Sequence, residues 1–168
     1  MRRIFLLSLV ILASSTIIKA QSFGYINTET ILKAVPEYAT AQQQIQRVKA
    51  QYDAEIEGEL KKVEQLYNTY QAQKANLSQS ERSLRENEII TKERAVKELQ
   101  KKYFGQEGVM AAKSKEIMEP IMTKLKSAIE KVAQTEGFII IFDIATVQGV
   151  VYNNPANDMS QKVIKLLN

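Results

Sequence analysis

The side chains that carry most enzyme chemistry are missing from this chain. It has no His and no Cys, which removes the commonest general base, the usual imidazole metal ligand and any disulfide framework. It contains no Gly-rich phosphate loop and no Gly-x-Ser-x-Gly elbow. Carboxylates are plentiful, but those between Asp53 and Glu130 recur at helical spacing beside lysines. Glu57–Lys61, Glu93–Lys97 and Glu98–Lys102 stand four apart with the acid first, the order that supports a solvated helix face. Asp143 stands alone at the end of an apolar run, where a single carboxylate is ordinarily a turn or cap acceptor. No catalytic constellation, metal or cofactor is expected, and the chain does not read as an enzyme.

A different signal comes from apolar residues in adjacent pairs: Leu66-Tyr67, Ile89-Ile90 and Tyr103-Phe104. Neighbours in a helix point about 100° apart, so the seam between two helices cannot hide both members. Either the seam broadens to cover them in part, or some face water as a partner surface. Tyr52, Tyr70 and Met110 join these pairs as candidate contact residues.

The pairs sit on elements built for reach. Apolar positions from Ala41 through Ile45, Val48, Tyr52, Ile56, Leu60, Val63 and Tyr67 to Tyr70 are spaced by threes and fours, predicting a helix over 38–77. Ile45 to Val63 spans eighteen residues, close to five straight turns, so little supercoil is expected. The chain breaks at Asn76 to Glu81, where Ser78 and Glu81 form a capping box. A second helix is expected over 79–135, striped by Leu84, Ile89, Val96, Leu99, Tyr103, Met110, Ile117, Ile121, Leu125, Ile129 and Val132, with Gly137 as its left-handed cap. Gly105 and Gly108 each cost about 1 kcal/mol against Ala inside a helix. With Gly58 at a similar height they are candidate hinges, and Pro120 is a candidate kink near Glu116 to Glu119. The kink either marks where the arm enters a base or is a tolerated bend.

The ends of the chain supply that base. Phe23 to Asn27 reads as a strand and Thr28 to Val35 as a short helix that Thr28 can cap. Phe138 to Asp143 is continuously apolar, predicting a strand buried on both faces. Ala145 to Gly149 reads as a turn and Val150-Val151-Tyr152 as a partner strand. Asp158 and Gln161 form a second capping-box signal before a last helix whose Val163, Ile164 and Leu167 pack on the sheet. The fold class is therefore α+β: a small β-sheet body from both chain ends and a long, protruding, antiparallel α-helical hairpin. Residues 21–168 form one domain, with the body at 21–40 and 118–168 and the arm at 41–117. Three short strands bury too little to be secure alone. A symmetric oligomer through the sheet would supply the missing core.

Residues 1–20 read as a Sec-type signal peptide. Arg2 and Arg3 precede the apolar run Ile4 to Ala13, and cleavage is expected before Gln21. Its removal takes the net charge from +4 to +1, twenty basic residues against nineteen acidic. Residues 38–77 carry five basic and five acidic groups, and 78–137 carry twelve and ten. Neither stretch is polybasic, so no nucleic-acid partner and no stable membrane insertion after cleavage are expected.

Tyr25-Ile26-Asn27, Ile31-Leu32, Val35-Pro36-Glu37-Tyr38 and Ala41-Gln42 are similar to the N-terminal signature of the Skp/OmpH family of periplasmic outer-membrane-protein chaperones. Ala128-Ile129, Val132-Ala133, Gly137 to Asp143, Val150-Val151-Tyr152 and Asp158-x-Ser160-x-x-Val163-Ile164-x-x-Leu167 follow its C-terminal pattern. The resemblance implies a periplasmic homotrimer whose helical tentacles surround a cavity. It implies an ATP-independent holdase for unfolded outer-membrane β-barrel proteins, with Tyr52, Leu66, Tyr67, Tyr70, Ile89, Ile90, Tyr103, Phe104 and Met110 as candidate client contacts. The chain departs from the pattern in its near-neutral mature charge and in Asn27, where many relatives have Asp. A cell-envelope scaffold or adaptor gripping one folded partner is the alternative reading.

Overall fold

The structure is a computed structural model describing residues 22–168; the expected signal peptide lies outside the described residues. Strand β1 (Ser22–Ile26) leads into α1 (Thr28–Lys33) and the long helix α2 (Pro36–Gln73). A 3-10 turn (Lys74–Asn76) reverses the chain into α3 (Gln79–Phe104), followed by α4 (Val109–Glu136), β2 (Phe138–Asp143) and, after a second 3-10 turn (Pro155–Asn157), α5 (Ser160–Leu167). Local chemistry sets these limits. Pro36 occupies the first turn of α2, where its missing N–H costs nothing. The Ser78–Glu81 capping box opens α3 as expected, and Gly137 closes α4 in the left-handed region at φ 74°.

The expected single helix over 79–135 is in fact two. Gly105 and Gly108 take extended backbone as the C-cap of α3 and the N-cap of α4. The sequence marked the soft point, but two glycines three apart end the helix rather than weaken it. The helix α4 runs through Pro120 without interruption, and α2 runs through Gly58.

β1 and β2 pair in parallel, with Phe23 opposite Ile140 and Ile26 opposite Asp143. Parallel strands require a long crossover, and here the crossover is the whole arm. The inner face of this two-stranded sheet carries Ile26, with Phe138 and Ile141 packed alongside. They meet Ile31 of α1, Leu125, Ala128 and Val132 of α4, Met159, and Val163 of α5. Ile164 and Leu167 pack against the same cluster, as expected.

Two expectations for the body fail. Val150-Val151-Tyr152 is not a strand; it is irregular, with Val151 99% and Tyr152 80% exposed. β2 is not buried on both faces, because Ile139, Ile140 and Phe142 face outward. The cause is shared: β1 occupies one edge of β2, and the described residues offer no strand for the other. The far edge of β1 is covered instead, by a bridge from Tyr25 to Asp158 and by Met159 N–H donating to Tyr25 O at 2.8 Å.

The junction after β1 is held from several distant points. Asn27, not Thr28, caps α1, its side chain accepting from Thr30 N–H at 3.0 Å. Asn27 N–H donates to the buried Ser160 hydroxyl at 2.9 Å. The Thr28 N–H and hydroxyl donate to Asp143 at 3.1 and 2.6 Å, and Ala145 N–H donates to the same carboxylate. Asp143 is thus the turn and cap acceptor expected of it. Asp158 accepts from Ser160 N–H at 2.8 Å and forms no capping box with Gln161, because α5 begins two residues after it.

Partial burial pushes the Asp143 carboxyl up, but the hydrogen bonds from Thr28, Ala145 and Thr146 outweigh it and hold it below its ordinary value. Its stabilisation is therefore complete above the ordinary carboxylate pKa and is lost as pH falls through the lowered one. Asp143→Ala is expected to destabilise the fold by about 1.5–3 kcal/mol at neutral pH. Urea denaturation at fixed protein concentration checks this, and the gap from the natural chain should close on acidification.

Candidate functional site

The outer arm is a seam with a residue budget set by geometry. Ile56, Val63 and Tyr70 of α2 meet Ile89, Val96 and Tyr103 of α3 as one buried cluster. On both helices these buried positions fall seven residues apart, the repeat of a two-stranded coiled coil rather than of a straight 3.6-residue helix. This overturns the broader stripe. Leu60, Tyr67 and Leu84 belong to the expected stripes, yet all three are exposed. Counting in sevens from Ile56 on α2 and from Ile89 on α3 excludes them.

Each end of the seam is fixed by a phenol. The Tyr70 hydroxyl donates to Glu86, and the Tyr103 hydroxyl donates to Glu55 at 2.7 Å. The bond to its carboxylate, and then burial, pushes each phenol above its usual pKa, so both remain neutral donors across the physiological range. Tyr52 stacks on Tyr103 with ring centroids 4.2 Å apart and meets Phe104 edge-on at 6.4 Å. Lys49 lies over the Phe104 ring.

The adjacent pairs divide as the 100° argument requires. Leu66 is half-buried against the seam, and Ile89 and Tyr103 are buried within it. Their neighbours Tyr67 (49%), Ile90 (49%) and Phe104 (40%) remain exposed. Of the nine candidate contact residues, Tyr70, Ile89 and Tyr103 thus hold the arm together. Tyr52 and Leu66 line the seam, and Met110 is half-buried in the first turn of α4. Tyr67, Ile90 and Phe104 are the outward set, to which the structure adds Leu60 and Leu84.

The charged surface is looser than expected. Glu57 and Lys61 pair at 2.6 Å, but Glu93 and Glu98 make no ion pair among the described residues. None of the described helices is long and apolar enough to cross a membrane.

A family model for OmpH-like outer membrane proteins matches residues 22–167. The chain belongs to the Skp/OmpH-like family of outer membrane chaperones. This Skp/OmpH-like chain is 25% identical over 169 residues to the chaperone protein Skp of Vibrio cholerae serotype O1, covering 96% of this chain and 94% of the relative. Its fold is similar to that of a candidate OmpH-like outer membrane chaperone from Caulobacter crescentus CB15. That match has a TM-score of 0.70 at 16% identity and covers 88% of this chain and 84% of the other. In the Skp/OmpH-like chain, Asn27, Asp143 and Ser160, which lie within the sequence signatures, hold the body together. The outward arm residues lie outside those signatures.

The three glycines are not equivalent. A Cβ on Gly58 would meet open space, whereas one on Gly105 would lie 2.4 Å from Lys101 O and one on Gly108 2.6 Å from Tyr103 O. Gly58→Ala is therefore expected to stabilise the arm by up to about 1 kcal/mol. Gly108→Ala should lower the thermal unfolding midpoint, and opposite signs in calorimetry would confirm the distinction.

Proposed function

We propose that the mature chain is an exported, ATP-independent holdase that keeps unfolded outer-membrane β-barrel proteins from aggregating in the periplasm. It works as a homotrimer and needs neither cofactor nor catalysis. The observation that carries this reading is the division of the apolar pairs. The seam is already filled by Ile89 and Tyr103, yet Tyr67, Ile90 and Phe104 stay 40–49% exposed on the outer arm. Repeated along one rod, such half-exposed side chains offer a partner several apolar contact points. Membership of an outer membrane chaperone family supports the identity of that partner.

The physics of the client fits. Barrel strands alternate apolar and polar residues and must cross water before they reach the membrane. Their unpaired edges aggregate there. Many weak contacts, repeated on several arms, hold such a chain by multivalency without a defined pocket. The break at Gly105–Gly108 supports a bend in each arm that adjusts the space between arms to the client. The outward face of β2 and the 147–152 segment are uncovered in a single chain, and the trimeric reading places the neighbouring copies on them. Residues 1–20 serve as the signal that delivers the chain to the periplasm, and residues 21–168 work as one domain.

Diluting a denatured outer-membrane barrel protein into the mature chain tests this by light scattering. Suppression is expected near one trimer per client, and sedimentation should give three times the chain mass. Tyr67→Ser and Ile90→Ser together should weaken client binding by about tenfold or more while leaving the thermal unfolding midpoint in place. A monomer that leaves the barrel protein to precipitate would sink the proposal in favour of an adaptor for a folded partner.

A further inference from the structure

One part of the arm surface has a sign of its own. On one side of the outer arm Leu60, Val63 and Tyr67 of α2 line an open groove of about 560 Å³ that Glu93 of α3 closes. Val63 is buried and belongs to the seam, while Leu60 and Tyr67 are half-exposed, so the groove is apolar at its centre. Its other lining groups are Glu57, Lys61 and Glu64. Lys61 Nζ lies 2.6 Å from Glu57, and this ion pair holds the Glu57 carboxyl below its usual value. Glu64 and Glu93 make no ion pair among the described residues. The groove therefore carries three carboxylates and one ammonium around an apolar centre, in a mature chain whose net charge is +1.

Resting on the holdase reading, we propose that this groove selects extended client segments in which apolar side chains alternate with Lys or Arg. In an extended segment successive side chains point to opposite sides. An apolar group seated between Leu60 and Tyr67 thus leaves its flanking cationic groups on stems long enough to reach the rims. Glu64 on α2 and Glu93 on α3 stand on opposite helices, so a segment lying across the seam meets one carboxylate on each side. Each contact is an exposed ion pair, weak and screened by salt. That weakness suits a surface from which the client must leave. Segments whose polar positions are Asp or Glu meet like charge and are passed over.

Two labelled peptides of equal length and apolar content, one alternating with Lys and the other with Glu, test the inference against the mature oligomer by fluorescence anisotropy. The Lys peptide is expected to bind roughly three- to thirtyfold more tightly at low ionic strength, with the preference shrinking as salt is added. Glu64→Gln with Glu93→Gln should bring the ratio to about one. Tyr67→Ser should weaken both peptides alike. Equal binding of the two peptides, or a preference that survives the double glutamine variant, would overturn the proposal. A preparation that suppresses barrel-protein aggregation yet shows no peptide preference overturns the groove's selectivity alone. One that shows the preference yet leaves the barrel protein to precipitate overturns the holdase reading instead.

Discussion

The parallel pairing of β1 with β2 is the constraint on which the molecule rests. Two strands from opposite ends of the chain lie side by side, running the same way, with everything from Asn27 to Gly137 between them. A flexible loop of that length would close at a large entropic cost. Here the intervening chain is two antiparallel rods that return to their starting height, so most of the closure is made by local helix and seam contacts. The hydrogen bonds from Thr28 to Asp143 and from Asn27 to Ser160 then lock the two feet together. Without that lock the arm would have nothing to project from. Without the arm the strands would have no route into parallel register.

The arm in turn obeys a limit of width. In this arm each seven-residue step buries one position fully, with Tyr52, Leu66 and Leu99 beside the seam buried in part. Any further apolar residue is left in water. Ile89 and Ile90 differ by one residue of backbone progress and nothing in side-chain chemistry, yet one is 7% exposed and the other 49%. Stability and stickiness are thus assigned to neighbouring residues by the helical twist alone. Substituting the outward member leaves the rod standing, and substituting the inward one opens it.

That the two members of each pair cannot share the seam was legible in the sequence because it follows from a fixed angle; which member turns outward was not. The Ser78–Glu81 cap, the left-handed Gly137 and the acceptor role of Asp143 were also legible, each the product of chemistry within a few residues or of a strand end. What was not legible depended on partners distant in the chain. Counting threes and fours admits Leu60 and Tyr67 to the stripe; only the facing helix decides that sevens prevail. The Gly105–Gly108 step reads as a soft spot, and backbone caps on both sides turn it into an end. An unbroken apolar run at Phe138 to Phe142 reads as a strand buried on both faces, since the sequence does not say how many strands one chain can bring to the sheet.

That last discrepancy is informative in its own right. The uncovered apolar groups of the body and of the arm differ in kind. In the body, Phe23 and Phe142 approach to 6.2 Å, Ile139 and Ile140 stand beside them, and β2 offers an unpaired edge. Such a patch is dense and fixed in geometry, and an unpaired edge admits only a partner of matching register. In the proposed trimer a second copy of the same chain would satisfy these demands. On the arm the apolar groups are single side chains separated by charged residues and mounted on a rod with a break at Gly105–Gly108. No fixed surface could satisfy many such points at once, but an unfolded chain can reach each of them separately. A dense patch at the foot and a sparse one along the arm therefore fit the two partners of the proposed function, one invariant and one without a shape of its own.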